Sequence, residues 1–342
     1  MNVTVAIITA GIAAFLVSFL LGYVIIPWLH KLNFGQTILD IGPKWHKKKQ
    51  GTPIMGGIMF IVGIIAALAI VLITDKIKGG DIILGDSIDE KSVKLKFYGG
   101  LLMALCYGLI GFADDYIKAV KKRNMGLTIL QKSVLQILVI CVYLGTLHNA
   151  GATYMFIPFV GNVNLGFFFW IIGAAALYCT VNAANFTDGV DGLCASVTAV
   201  CAISLTIIAI LRKNFGMSLL TAALFGALCG YLIWNWYPGK VMMGDLGSNF
   251  LGGIVVAVCY ALDMPWLILL VGIIYVIEFL SDIIQITYFK ATHGKRIFKM
   301  APIHHHFEMC GWKERKICYV FSAVNAVGGL IAILLTVFGA PK

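Results

Sequence analysis

Charged side chains are scarce in this chain. Only 12% of its 342 residues are Asp, Glu, Lys or Arg, and 60% are hydrophobic. A soluble domain carries about 25% charged residues, so an ordinary water-soluble globule is excluded and a polytopic membrane protein is implied. Acids are rarer than bases, 16 against 26, which leaves a net charge of +10. No basic stretch interleaved with aromatics sits on a separate soluble region. Nucleic acid is therefore excluded as a partner, and the positive excess fits loops on one side of a membrane. None of the nine cysteines forms a CxxC pair, and most lie inside apolar runs. They read as small buried hydrophobes, not as a disulfide framework or thiolate metal site. The start of the chain lacks a basic region and a small-residue cleavage site, so Val3 to Pro27 is expected to remain as a first span. Low-complexity tracts, domain linkers and fixed-period repeats are also lacking. The expected organisation is one integral-membrane domain, residues 1–342.

What the chain has instead is apolar runs. They lie near 3–28, 54–74, 97–113, 130–148, 166–181, 194–211, 217–236, 248–262, 265–289 and 317–339, which predicts an all-α fold of about ten transmembrane helices. The connections 29–53, 114–129 (with Lys132 just inside the next span), 182–193, 237–247 and 290–316 hold eighteen of the Lys and Arg residues, and the other connections hold eight. The positive-inside rule then puts the first set in the cytoplasm and both termini outside. Segment 152–165 alternates partly around Gly161-Asn162 and is expected to form a short exterior β-hairpin. Pro27, Pro53, Pro238 and Pro302 fall near cytoplasmic boundaries, where helices are expected to end.

The few acids are not scattered. Asp114, Asp115, Asp188, Asp191 and Asp245 come from three different connections, yet all emerge at the cytoplasmic mouth. In GFADDYIK, Lys118 can face either Asp114 or Asp115 if the helix continues. Adjacent carboxylates suit a general base and a metal ligand, though a solvated helix end would look the same in isolation. TVNAANFTDGVDGL has no Lys or Arg, so its carboxylates need a cation from elsewhere. Asn182 and Asn185 there stand at helical spacing, and Gly189 and Gly192 permit close backbone approach, features that an ordinary turn shares. In VMMGDLGS, Asp245 lies between two glycines ahead of an apolar run. This fits a magnesium site with one or two carboxylates plus phosphate oxygens, or a simple helix N-terminal acid. The run APIHHHFE is a poor zinc cage, because consecutive histidines do not share a helix face. His304, His305 and His306 read better as loop donors and acceptors for a phosphate or sugar. Glu278, Asp282 and Gln285 fall on one face of the ninth span. Carboxylates, lysines and histidines gathered at one membrane face suit phosphoryl transfer between a water-soluble donor and a lipid acceptor.

GTPIMGG (51–57), DDYIK (114–118), NFTDGVDGL (185–193), MMGDLGS (242–248) and APIHHHFE (301–308) together resemble the phospho-N-acetylmuramoyl-pentapeptide transferases over essentially the whole chain. The patterns DD-x-x-K, NxTDGxDG and MGDxGS are shared with the wider superfamily of polyprenyl-phosphate N-acetylhexosamine-1-phosphate transferases, and PIHHH points to the muramoyl-pentapeptide branch. The resemblance implies transfer of phospho-MurNAc-pentapeptide from UDP-MurNAc-pentapeptide to undecaprenyl phosphate, with UMP released and Mg²⁺ required. It implies a bacterial plasma-membrane protein, a step of cell-wall synthesis, and a homodimer. By motif, Asp245 resembles the magnesium ligand, Asp114 and Asp115 the pair at the lipid phosphate, and Asp188 an essential acid at the diphosphate. Gly189, Val190, Asp191 and Asn235 resemble a uridine pocket, with Lys47 and Gln285 nearby. Lys118 and Lys132 resemble phosphate contacts, Thr52 lies in the first cytoplasmic loop with Lys47, and the three histidines resemble functionally required ones. Met242 stands where the family often has an aromatic residue, and Ile54 where a threonine is common. Of two chemical routes, direct attack by the lipid phosphate is preferred to a covalent aspartyl intermediate, since a phosphate needs little activation. An ion-coupled transporter is the different-class alternative, but it predicts midplane acids and repeat-related broken helices.

Overall fold

The computed structural model describes residues 1–32, 50–85, 89–121 and 125–339. Its helices in chain order are α1 (Val3–Lys31), α2 (Gly57–Ile77), α3 (Glu90–Val120), α4 (Ile129–Asn149), α5 (Phe168–Thr187), α6 (Leu193–Leu211), α7 (Phe215–Asn235), α8 (Gly244–Ala261), α9 (Ile268–Val271), α10 (Ile273–Ala291), α11 (Ile303–Met309) and α12 (Glu314–Phe338). Among the described residues nine helices are long and apolar enough to cross a membrane. The pair Pro265–Val271 and Ile273–Ala291, bent by 83°, is long and apolar enough only when taken together, and as one span would bring the number to ten. The chain is a multi-pass membrane protein. The one sheet among the described residues is the expected hairpin, β1 (Tyr154–Ile157) against β2 (Gly161–Asn164), with Tyr154 opposite Asn164 and Ile157 opposite Gly161.

The bundle is built around α8, every residue of which from Leu246 to Ala261 is buried. A helix that is apolar on all sides belongs in the interior. Small residues let its neighbours come close. A Cβ on Gly252 would lie 2.6 Å from the Val181 backbone of α5, and one on Gly111 of α3 would lie 2.1 Å from the Asp245 carbonyl. These two approaches bring the ends of α3, α5 and α8 together.

Several boundaries differ from the expected ones for local reasons. Helix α1 runs one turn past Pro27, whose missing N–H is no bar to continuing for four residues. Helix α3 continues to Val120 and α5 to Thr187, so Lys118, Asn182 and Asn185 all sit on helix. The histidine run forms the short α11 and not a loop. The apolar run 265–289 is broken at Gly272. There Asn325 of α12 takes over the freed backbone groups: its Nδ2 donates to Val271 O (2.7 Å) and its Oδ1 accepts from Ile274 N (3.4 Å).

Candidate active site

Three acids converge where α3 meets α8. The carboxylate oxygens of Asp114, Asp115 and Asp245 lie within 4.8 Å of one another. Helical spacing puts Lys118 one turn below both aspartates of α3, with Nζ 2.5 Å from Asp114 and 4.0 Å from Asp115. The same ammonium group donates to Asp245 Oδ2 (3.2 Å), and Lys132 of α4 donates to that oxygen as well (3.0 Å). Asn185 of α5 donates to Asp245 Oδ1 (2.8 Å) and to Ser248 Oγ (2.9 Å). Backbone amides hold the other two carboxylates, Leu127 N on Asp114 (2.7 Å) and Leu246 N on Asp115 (3.1 Å). Gly244 has φ +71°, and a Cβ there would lie 2.4 Å from Asp115 Oδ2, so only glycine admits both the turn and the carboxylate.

Asp188 adjoins this group from the end of α5. Enclosure, and then the charges of Asp245, Asp115 and Asp191, hold its carboxyl well above the usual carboxylate range, while the Gly244 N–H works the other way. Asp188 caps the C-terminus of a helix, where a negative charge is also disfavoured by the backbone dipole. With all four ionised, the carboxylates would outnumber the two ammonium groups by two, and a cation would be needed to keep them so. The donor set is all hard oxygen apart from the lysines, which fits a divalent cation such as magnesium.

The remaining predicted residues divide. Gly189 lies against His304, since a Cβ on it would be 2.3 Å from His304 Nε2. Asp191 is braced: its carboxylate accepts from Gly239 N (2.8 Å) and its amide donates to Glu314 Oε2 (3.0 Å). Asn235 is a brace too, accepting from Gly192 N (3.0 Å) and donating to Val241 O (2.8 Å). Val190 is buried. The segment from Pro53 docks on the MMGD turn: Met242 N donates to Pro53 O, while Gly56 N and Gly57 N donate to Met242 O and Met243 O. Thr52 directly precedes the docked Pro53, and Met242 is buried. Asn182 turns to α4, donating to Gln136 Oε1 (3.1 Å) and to Tyr178 O (2.8 Å). Gln285 accepts from Ile297 N and Phe298 N and donates to Phe298 O. His305 pairs with Glu308 (2.6 Å), and His306 Nδ1 accepts from Lys299 N (3.1 Å). Lys47 lies outside the described residues. Sequence reasoning missed Ser248 and Glu314. Glu314 carries a signal in retrospect, as the one acid within the basic run Lys313–Lys316.

A membrane bundle with a carboxylate and lysine cluster at one end defines a class, and the chain matches it. Residues 97–263, from α3 through α8, match the model of glycosyl transferase family 4. Over 329 residues the chain is 43% identical to the phospho-N-acetylmuramoyl-pentapeptide-transferase of Clostridium perfringens (strain SM101 / Type A), covering 95% of each. It is 42% identical to the proteins of that name from Bacillus thuringiensis (strain Al Hakam) and Bacillus cereus (strain AH187), covering 96% of each. The chain belongs to the phospho-N-acetylmuramoyl-pentapeptide-transferase family and is a transferase.

Proposed function

We propose that this chain, acting as a single integral-membrane domain in a bacterial plasma membrane, transfers phospho-MurNAc-pentapeptide from UDP-MurNAc-pentapeptide to undecaprenyl phosphate and releases UMP. The observation that carries the reading is the convergence of Asp114, Asp115 and Asp245, with Lys118 against all three and Lys132 on Asp245. The mouth formed by these residues faces the cytoplasm, with both termini outside. The eighteen-to-eight loop bias supports that orientation.

In the reaction an oxygen of the lipid phosphate attacks the β-phosphorus of the nucleotide. The bond to the α-phosphate oxygen breaks, and that oxygen leaves on UMP. Lys118 and Lys132 neutralise phosphate oxygens brought to Asp245. Asp114 or Asp115 accepts any proton still on the lipid phosphate and orients it for in-line attack. Asp188, Gly189, Val190, Asp191 and Asn235 shape the nucleotide side, with Thr52, Met242 and Lys47 beside them. His304, on Gly189, lies toward the diphosphate, and His305 and His306 flank it. Asp245, with Asp114 and Asp115 next to it, would hold Mg²⁺, which when bound supplies Lewis-acid neutralisation of the diphosphate charge.

UMP release from detergent-solubilised protein checks the substrate. UDP-MurNAc-pentapeptide should support it and UDP-GlcNAc should not; activity with UDP-GlcNAc alone would transfer the assignment to the wider superfamily. Direct attack also requires inversion at phosphorus. With a nucleotide donor chiral at its β-phosphorus, net retention would establish a covalent intermediate instead.

A further inference from the structure

Helix α10 presents three polar side chains along one face, Glu278, Ser281 and Gln285, and all three grip the segment that precedes or begins α11. Gln285 holds the backbone at Ile297 and Phe298. Ser281 Oγ accepts from Ile303 N (3.0 Å). Glu278 Oε2 meets His304 Nδ1 at 3.0 Å, with both side chains 0% exposed. The first two grips satisfy backbone groups and need no further explanation. The third does, because it leaves polar atoms over. Glu278 Oε1 and His304 Nε2 are buried and have no hydrogen-bond partner within the chain. A buried polar atom without a partner costs about 1–3 kcal/mol, so such atoms point to a ligand or a trapped water. Nε2 faces the backbone of the Asp188–Gly192 turn at Gly189, whose lack of a Cβ is what makes room for the ring.

A carboxylate has only lone pairs to offer, so Nδ1 is the donor in this contact, and in the neutral ring Nε2 is then the acceptor. With Nδ1 committed, Nε2 is the one ring atom left for a ligand. We propose that Glu278 is a positioning residue: it holds His304 with its Nδ1 protonated and its Nε2 turned to the Gly189 backbone, where it accepts a hydrogen bond from an O–H of bound substrate. That O–H belongs to a sugar hydroxyl of the nucleotide substrate or to the protonated phosphate of the lipid. The inference rests on the functional reading above for the identity of the substrates. It adds a residue from inside a membrane-crossing helix, 26 positions from the histidine it orients.

The test is a double-mutant cycle on Glu278 and His304. Glu278→Leu removes the acceptor while filling the buried space, and Glu278→Gln keeps an acceptor oxygen. Glu278→Leu should lower kcat by roughly 10²-fold, Glu278→Gln should recover most of it, and Glu278→Leu should cost nothing more in a His304→Gln background. Every variant should remain folded, with the melting temperature lowered by a few degrees in Glu278→Leu, which leaves Nδ1 without its acceptor, and less in Glu278→Gln. A raised KM for the nucleotide substrate assigns the O–H to the sugar, and a raised KM for the lipid phosphate assigns it to the lipid. Multiplying effects in the double variant, or equal losses for Leu and Gln, would overturn the proposal. The nitrogen-15 spectrum of histidine-labelled protein supplies a readout free of any substrate. A protonated Nδ1 signal that disappears in His304→Gln should shift in Glu278→Leu. An unshifted signal sinks the pairing, whereas a shifted one without UMP release from either nucleotide sugar sinks only the functional reading.

Discussion

Asp245→Asn should abolish turnover, lowering kcat by 10³-fold or more while leaving the protein folded. Several kcal/mol of charge stabilisation come from a metal at a phosphoryl centre, and each 1.36 kcal/mol is a factor of about ten in rate. Asp245 is the hinge of the cluster because both lysines converge on its Oδ2 and Asn185 on its Oδ1. The substitution preserves shape but removes the carboxylate charge on which both lysines converge and that would hold a divalent cation. Lys118 keeps its pair with Asp114, so the protein should stay folded in detergent, and raising the magnesium concentration should not restore activity. Asp263→Asn is the control, an acid paired with Lys96 far from the cluster; it should change kcat by about twofold at most. If Asp245→Asn kept a tenth of wild-type turnover, its role as metal ligand would be untenable.

Much of this arrangement can be read from the sequence, for a physical reason. Hydropathy gives depth in the membrane, and loop charge gives sidedness, so Asp114, Asp115, Asp188 and Asp245 could be gathered at one end without knowing any contact. Helical periodicity then placed Lys118 on the aspartates, which the continuation of α3 to Val120 realises. What periodicity lacks is a partner across the bundle. Glu278, Asp282 and Gln285 were legible as one face, but not that Glu278 would meet His304 or that Gln285 would hold a loop backbone. Asn182 and Asn185 have the same composition and spacing signal. Yet Asn185 reaches Asp245 and Asn182 turns to Gln136, because the packing of α5 between α4 and α8 separates them. The bend at Gly272 was equally hidden. From Pro265 to Ile277 the run is unbroken by any polar side chain, and the asparagine that makes the break tolerable lies more than fifty residues further on.

Asp188→Asn should cost roughly 10²–10³ in kcat, the size of loss found when one electrostatic group is removed from a transition state, and its signature is pH dependence. In the folded protein, enclosure and then the charges of Asp245, Asp115 and Asp191 hold this carboxyl above its ordinary value of 3.8. In the unfolded chain it keeps that ordinary value. Between the two, the native state retains a proton that the unfolded state has released, so stability falls as pH rises through the window. A divalent cation reverses the balance, since it favours the ionised form and displaces the proton. The melting temperature of magnesium-free protein should therefore decline as pH rises above about 4, and the stabilisation by added magnesium should grow over the same range. Asp188→Asn should flatten both trends; if the magnesium effect kept its full pH slope, Asp188 would not be coupled to the cation. Asp191 supplies the contrast. Its carboxylate is spent on Gly239 N and its amide on Glu314, so it ties the Asp188–Gly192 turn to the 237–240 loop. Asp191→Ala should then raise KM for the nucleotide substrate more than it lowers kcat. Equal losses of kcat in the two variants would mean that the neighbouring acids share one task, with no division between the diphosphate and the base.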